Sequence, residues 1–151
     1  MSIERGRRDA QRILGLHEVV PMAALTDFFG RAYEAVGAAL AQQGAAPLGP
    51  PVALYGATAD DEADVTAGFP VPGTVTVPDG LVGPTLPAGP TVETIHTGPY
   101  ETLGATYEGV MGWFAEQRLT PSEVMWEEYL VGPDSGADPS AWQTRIVFPL
   151  T

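Results

Sequence analysis

The sequence predicts an α+β domain built as a tandem β-α-β-β repeat with pseudo-two-fold symmetry. An antiparallel sheet would carry two helices and leave a ligand cleft between the halves. Three observations predict it. Sliding the chain by 74 residues superimposes GRAYEAV (Gly30–Val36) on GATYEGV (Gly104–Val110). Continued without gaps over residues 30–55, the match gives eight identities in 26, where chance gives about one or two. Phe29, Tyr33, Val36 and Leu40 make one apolar helix face, and Leu103, Tyr107, Val110 and Phe114 repeat it 74 residues on. After a five-residue insertion in GPDSGADPSAW, FPV (Phe69–Val71) matches FPL (Phe148–Leu150). The 151 residues therefore form a single domain, residues 1–151, with halves at about 13–75 and 88–151.

Each half reads alike. His17–Ala24 and Thr91–Thr97 are β-rich runs. A helix follows, with Thr26 or Asp27 as cap in the first half, and Thr97 with Pro99 just inside in the second. Gly44 stops the first helix after Gln43; Pro47 and Pro121 forbid continuation of either. Val52–Tyr55 and Val124–Val131 are the next strands, and Asp64–Pro70 and Gln143–Phe148 the last. Between the halves, VPGTVTVPDGLVGPTLPAGP is dense in Pro and Gly, and its TVTV reads as an edge strand. The N-terminal MSIERGRRDAQRIL reads as a solvated lead-in or short helix, with no apolar region for a signal peptide.

Charge narrows the partners. All seven cations are Arg, against 19 acids, giving −12. Four Arg lie in the first twelve residues, so the remainder carries three Arg and 17 acids, or −14. That balance argues against nucleic acid and favours cationic ligands or a basic protein partner. There is no cysteine and there are only two His, so no metal or cofactor is expected. No apolar run approaches the ~20 residues that span a membrane, and the protein is expected to be cytoplasmic. His17 and His96 sit in no nucleophile elbow, and His96 reads as a packed strand residue.

Glu123–Pro133, EVMWEEYLVGP, carries the chemistry. Strand alternation puts Val124, Trp126, Glu128 and Leu130 on one face, and Met125, Glu127, Tyr129 and Val131 on the other. Each face holds an acid among large apolar groups. Such a glutamate is either solvated or partly buried and in need of a partner; the pattern leaves open which of Glu127 and Glu128 faces the cleft. A carboxylate in an aromatic pocket would attract an organic cation. Tyr33 and Tyr107 are equivalent helix positions and Tyr55 and Tyr129 equivalent strand positions, so the repeat can bring four tyrosines toward one cleft. Trp113 lies off the helix stripe, on the cleft-facing or exposed side.

HTGPYETL…YEGVMGWFAEQ (His96–Gln117), WEEYLVGP (Trp126–Pro133) and W-x-T-x-I-x-x-P-L (Trp142–Leu150) together resemble the GyrI-like small-molecule-binding domain. That domain is also the effector-binding module of many AraC- and MerR-type transcription regulators. The resemblance covers nearly the whole chain. It implies binding of bulky, flat, often cationic molecules, with Glu127 and Tyr129 as the family's E-x-Y pair and Ala53 at the matching place in the first half. Tyr33, Tyr107, Tyr55, Trp113 and Trp126 would supply aromatic faces. The last strand departs from the family, with Thr144-Arg145-Ile146 where T-E-I is common.

The leading expectation is a stand-alone multidrug-binding protein, since about 15 residues before the first strand leave no room for a helix-turn-helix. Some stand-alone members resemble hydrolases that open strained electrophilic rings; in that reading Glu127 would activate water or stabilise a developing cation, with Tyr129 or Tyr107 donating a proton. One branch inhibits DNA gyrase, which would make the acidic body an interaction surface. Exposed edge strands leave monomer and dimer both open.

Overall fold

The computed structural model describes residues 2–150, except the side chain of Asp134. Eight strands form one antiparallel sheet, curled into a half-barrel with two helices. In chain order these are β1 (Ile3–Arg8), β2 (Gln11–Pro21), α1 (Leu25–Gln43), β3 (Val52–Gly56), β4 (Glu62–Pro70), β5 (Thr85–Leu86), β6 (Gly89–Thr97), α2 (Leu103–Glu116), β7 (Met125–Val131) and β8 (Gln143–Pro149). The strand order is β1-β6-β8-β7-β3-β4-β2-β5.

The two repeats are β2-α1-β3-β4 and β6-α2-β7-β8, and they meet where β3 pairs with β7. Ala53 stands opposite Glu127 there, between the pairs Val52–Glu128 and Leu54–Trp126. Ala53 and Glu127 are also repeat equivalents, 74 residues apart. The pseudo-two-fold axis therefore passes between these two residues.

The helix stripes behave as their spacing predicts, with a division of labour along each. Val36 and Leu40 of α1 are buried against Leu14 and Val71; Val110 and Phe114 of α2 are buried against Val92, Ile146 and Phe148. Phe29, Tyr33, Leu103 and Tyr107, nearer the helix starts, are only partly buried. A further cluster of Ile13, Val52, Leu86, Trp126 and Val147 fills the sheet face away from the helices.

Four local expectations are corrected. The N-terminus is neither a lead-in nor a helix. It forms β1 on the edge of β6, because Ile3 packs on the Val92 cluster and Arg8 reaches carboxylates on β6 and β7. The first strand of the first half accordingly starts at Gln11, not His17. The TVTV run is not a strand: Val75 turns inward beside Val36 and Leu40, and the Arg12 guanidinium takes the carbonyls of Gly73 and Val75. The edge role passes to β5, paired with Gln11 and Arg12. Finally, neither Thr26, Asp27 nor Thr97 caps a helix. One-turn 3-10 segments, Met22–Ala24 and Tyr100–Thr102, lead into α1 and α2, whose first-turn N–H groups receive no side-chain cap. Gly44 does end α1, in the left-handed conformation at φ 63° that glycine adopts without strain.

One close approach demands glycine. Gly68 of β4 pairs with Gly15 of β2, and a Cβ at Gly68 would lie 1.8 Å from the Leu14 carbonyl oxygen.

Candidate functional site

A cavity of about 980 Å³ opens between the first turns of α1 and α2, over β3 and β7. All five tyrosines of the chain line it: Tyr33, Tyr55, Tyr100, Tyr107 and Tyr129. Phe29, Phe69, Leu25, Leu103, Met22 and Met125 add apolar surface. The size and the apolar wall suit a drug-sized ligand.

The rings touch in series. Centroid separations run 5.6 Å from Phe69 to Tyr33, 5.9 Å to Phe29, 6.2 Å to Tyr129, 5.8 Å to Tyr100 and 5.2 Å to Trp142. These are contact distances for edge-on and offset ring pairs. The series crosses from β4 of the first half to the insertion loop of the second.

Glu127 is the one acid lining the cavity among the described residues. It is 5% exposed. The Tyr129 hydroxyl donates to its Oε1 at 2.6 Å, and the Tyr107 hydroxyl donates to its Oε2. Among the described residues no Arg or His forms a salt bridge with it. Burial raises its pKa above the ordinary value; the two phenol hydrogen bonds and, less strongly, the nearby His96 oppose that rise. Tyr33, Tyr55, Tyr107 and Tyr129 are pushed upward too, mainly by burial and then by the nearby carboxylate and phenols. They stay protonated and offer O–H donors at neutral pH. The site is thus a desolvated carboxylate held by neutral donors, with no salt-bridge partner among the described residues.

The neighbouring glutamate meets a different environment. Glu128 points to the other sheet face, where Arg8 binds both its oxygens at 3.0 Å and Arg145 binds one at 3.0 Å. Arg8 also grips Glu93 at 2.9 and 3.0 Å. Arg145 therefore serves this ion network and not the cavity.

The two repeats present unequal walls. Tyr107 donates to Glu127, whereas its equivalent Tyr33 donates to the Val52 carbonyl at 3.2 Å, because Ala53 offers no carboxylate.

Of the residues singled out from sequence, Glu127, Tyr129, Tyr33, Tyr107 and Tyr55 meet at this cavity. Trp126 and Trp113 lie elsewhere. Trp126 is 1% exposed on the opposite face of β7, as the alternation requires. Trp113 packs edge-on against Phe114, with the Arg5 guanidinium 5.4 Å above its ring. His96 is buried and held by Thr106 at 2.7 Å and the Pro99 carbonyl at 3.1 Å; His17 pairs with Asp64 at 2.7 Å. Sequence reasoning missed Phe69 and Tyr100 as lining residues. Tyr100 stands in the GPYE element, a detectable signal; Phe69 had none, since its equivalent Phe148 is buried in the core. Among the described residues no group of three or more His, Asp or Glu is placed to hold a metal ion. Among the described residues no helix is long and apolar enough to cross a membrane.

The architecture is similar to solved structures of low sequence identity. The chain matches EcmrR in its DNA complex with a TM-score of 0.82 and 19% identity, covering 98% of this chain and 56% of that one. It spans only about half of that relative. Against the EcmrR C-terminal domain alone the TM-score is 0.79 at 19% identity, covering 99% and 97%. SAV2435 bound to tetraphenylphosphonium gives 0.74 at 14%, covering 100% and 94%. A hydrolase from Listeria innocua gives 0.65 at 14%, covering 99% and 91%. At these identities the likeness is one of fold. Comparison with curated protein sequences found no match. The sequence model of one family matches residues 1–151 in full. On that match, the chain belongs to the GyrI-like small molecule binding domain family.

Proposed function

We propose that this cavity binds bulky aromatic cations, for sequestration or sensing, and accepts several of different shape. The observation that carries the reading is Glu127: a buried carboxylate with no salt-bridge partner among the described residues, set among tyrosines. Folding has already desolvated it, so an incoming cation meets a preorganised counter-charge. A unit-charge pair at ~4 Å contributes ~4 kcal/mol at an effective dielectric of ~20, and each ring face under the cation adds ~0.5–2 kcal/mol. Breadth follows from the chemistry of the wall. Ring faces and methionine side chains adapt to many flat molecules, while a single charge sets the sign. The tetraphenylphosphonium complex of SAV2435, a protein of the same fold, supports the reading.

The test is a titration with tetraphenylphosphonium and with a cationic rhodamine, at low and high salt, on native protein and Glu127→Gln. Micromolar binding that survives salt is expected, because a buried pair is poorly screened. Glu127→Gln should weaken both cations at least tenfold and spare a neutral ligand of similar shape. Equal losses for charged and neutral ligands would remove Glu127 from its electrostatic role.

A second reading uses the same atoms. A carboxylate of raised pKa flanked by two phenols has the makings of a general base with proton donors. Glu127 would take a proton from attacking water while Tyr107 or Tyr129 returned one to the opened product. The Listeria innocua hydrolase of this fold keeps that reading in view. Turnover of a cyclopropane-containing electrophile, abolished in Glu127→Gln, would support it over sequestration.

A further inference from the structure

We infer that the cavity selects singly charged cations over dications, seating the charge beside α2 and an uncharged aromatic body against α1. The inference rests on the cation-binding reading above and names its ligand class. It comes from the way the repeat symmetry is broken. The axis passes between Ala53 and Glu127, so a symmetric site would carry two carboxylates on adjacent strands. Here one is a methyl group, 0% exposed. On the α2 side, Tyr107 holds the Glu127 carboxylate. On the α1 side, Tyr33 spends its hydroxyl on the Val52 carbonyl, and Met22, Leu25, Thr26, Phe29 and Phe69 beside it carry no charge. Phe29 and Tyr33 stack nearly parallel, 17° apart, and both line the cavity, so this wall offers aromatic surface to a flat ring system.

A first positive charge finds Glu127. A second, on the far end of the same molecule, would be desolvated against rings with no counter-ion within the α1 wall. Ring faces attract a cation but do not replace the hydration that an unpaired charge loses.

The test uses two styrylpyridinium ions of one shape: 4-(4-tert-butylstyryl)-1-methylpyridinium, a monocation, and 4-(4-trimethylammoniostyryl)-1-methylpyridinium, a dication. Calorimetric titration at fixed ionic strength should show the monocation binding native protein at least about tenfold tighter. Adding the missing charge should narrow or reverse that ratio. Ala53→Glu does so at the axis, and Thr26→Glu does so on the exposed first turn of α1, in case the buried substitution fails to fold. Equal or tighter binding of the dication to native protein would overturn the inference, as would an unchanged ratio in a folded variant. If neither ion nor tetraphenylphosphonium binds, the cation-binding reading falls and this inference with it. If tetraphenylphosphonium binds in a Glu127-dependent way while the two styryl ions do not differ, only this inference falls.

Discussion

Glu127 and Glu128 are neighbours on β7, yet their carboxylates lie on opposite faces of the sheet and meet opposite electrostatics. Glu127 is held by two phenols on the cavity side, and burial raises its pKa. Glu128 is clamped by Arg8 and Arg145, and those partners outweigh burial and lower its pKa. A one-residue step along the strand separates a carboxylate open to a ligand from one committed to the fold.

The raised Glu127 pKa would make the proposed cation binding pH-dependent. A cation needs the carboxylate form, so affinity should climb with pH, by about tenfold per unit below the pKa, and level off above it. Tyr107→Phe removes a hydrogen bond that favours the ionised form. It should shift the midpoint of that climb upward. The dissociation constant of tetraphenylphosphonium measured from below pH 4.5 upward decides the matter; a profile flat throughout would mean the cation does not rest on Glu127.

Glu127 should also be a stability liability in the empty protein. Its folded pKa stands above the ordinary 4.5, so the neutral form is the one the fold tolerates. Its contribution is most favourable below that ordinary value and is lost as pH rises through the folded pKa. Glu127→Gln should therefore raise the melting temperature at neutral pH by about 2–4 °C, for roughly 1 kcal/mol, and give no gain below pH 4.5. A gain of the same size at both pH values would point to packing and not to charge.

Glu128 should show the reverse sign. Its pKa is lowered by Arg8 and Arg145, so its contribution is present above 4.5 and fades as pH falls through the folded value. Arg8→Ala should cost about 2–3 kcal/mol at neutral pH. That is less than the ~3–5 kcal/mol of a fully buried pair, because the Arg8 side chain keeps 28% of its exposure. Urea denaturation at neutral and acid pH measures both. Faster amide exchange along β1 and β6 in the variant would show that Arg8 ties the N-terminal strand to the sheet.

Two glycines separate steric need from mere presence. Gly68→Ala would drive a Cβ into the Leu14 carbonyl and should destabilise by about 3 kcal/mol or more. Gly30→Ala, in α1 with nothing within 4 Å of the added Cβ, should stabilise by about 0.5–1 kcal/mol. Chemical denaturation of the two variants gives the contrast directly.

The repeat, the two helices and the strand pairs were legible in the sequence because each rests on a local period. Tyr33 with Tyr107 and Tyr55 with Tyr129 repeat at one shift, and the half-turn symmetry that follows carries all four to one cavity. Alternation along β7 likewise put Glu127 and Glu128 on opposite faces without any knowledge of the fold, and it excluded Trp126 from whichever face held Glu127. It did not say which face that was. The choice depends on contacts distant in sequence: Arg8 arrives from 120 residues away by pairing β1 to β6, and Arg145 from across β8. The same non-locality made β1 invisible, since MSIERGRR has no apolar alternation and becomes a strand through its carboxylate partners. TVTV failed in the opposite sense, its β-rich composition overridden by burial of Val75 beside α1. Periodicity decides which side chains share a face; tertiary pairing alone decides what that face meets, and here it left Glu127 without an Arg.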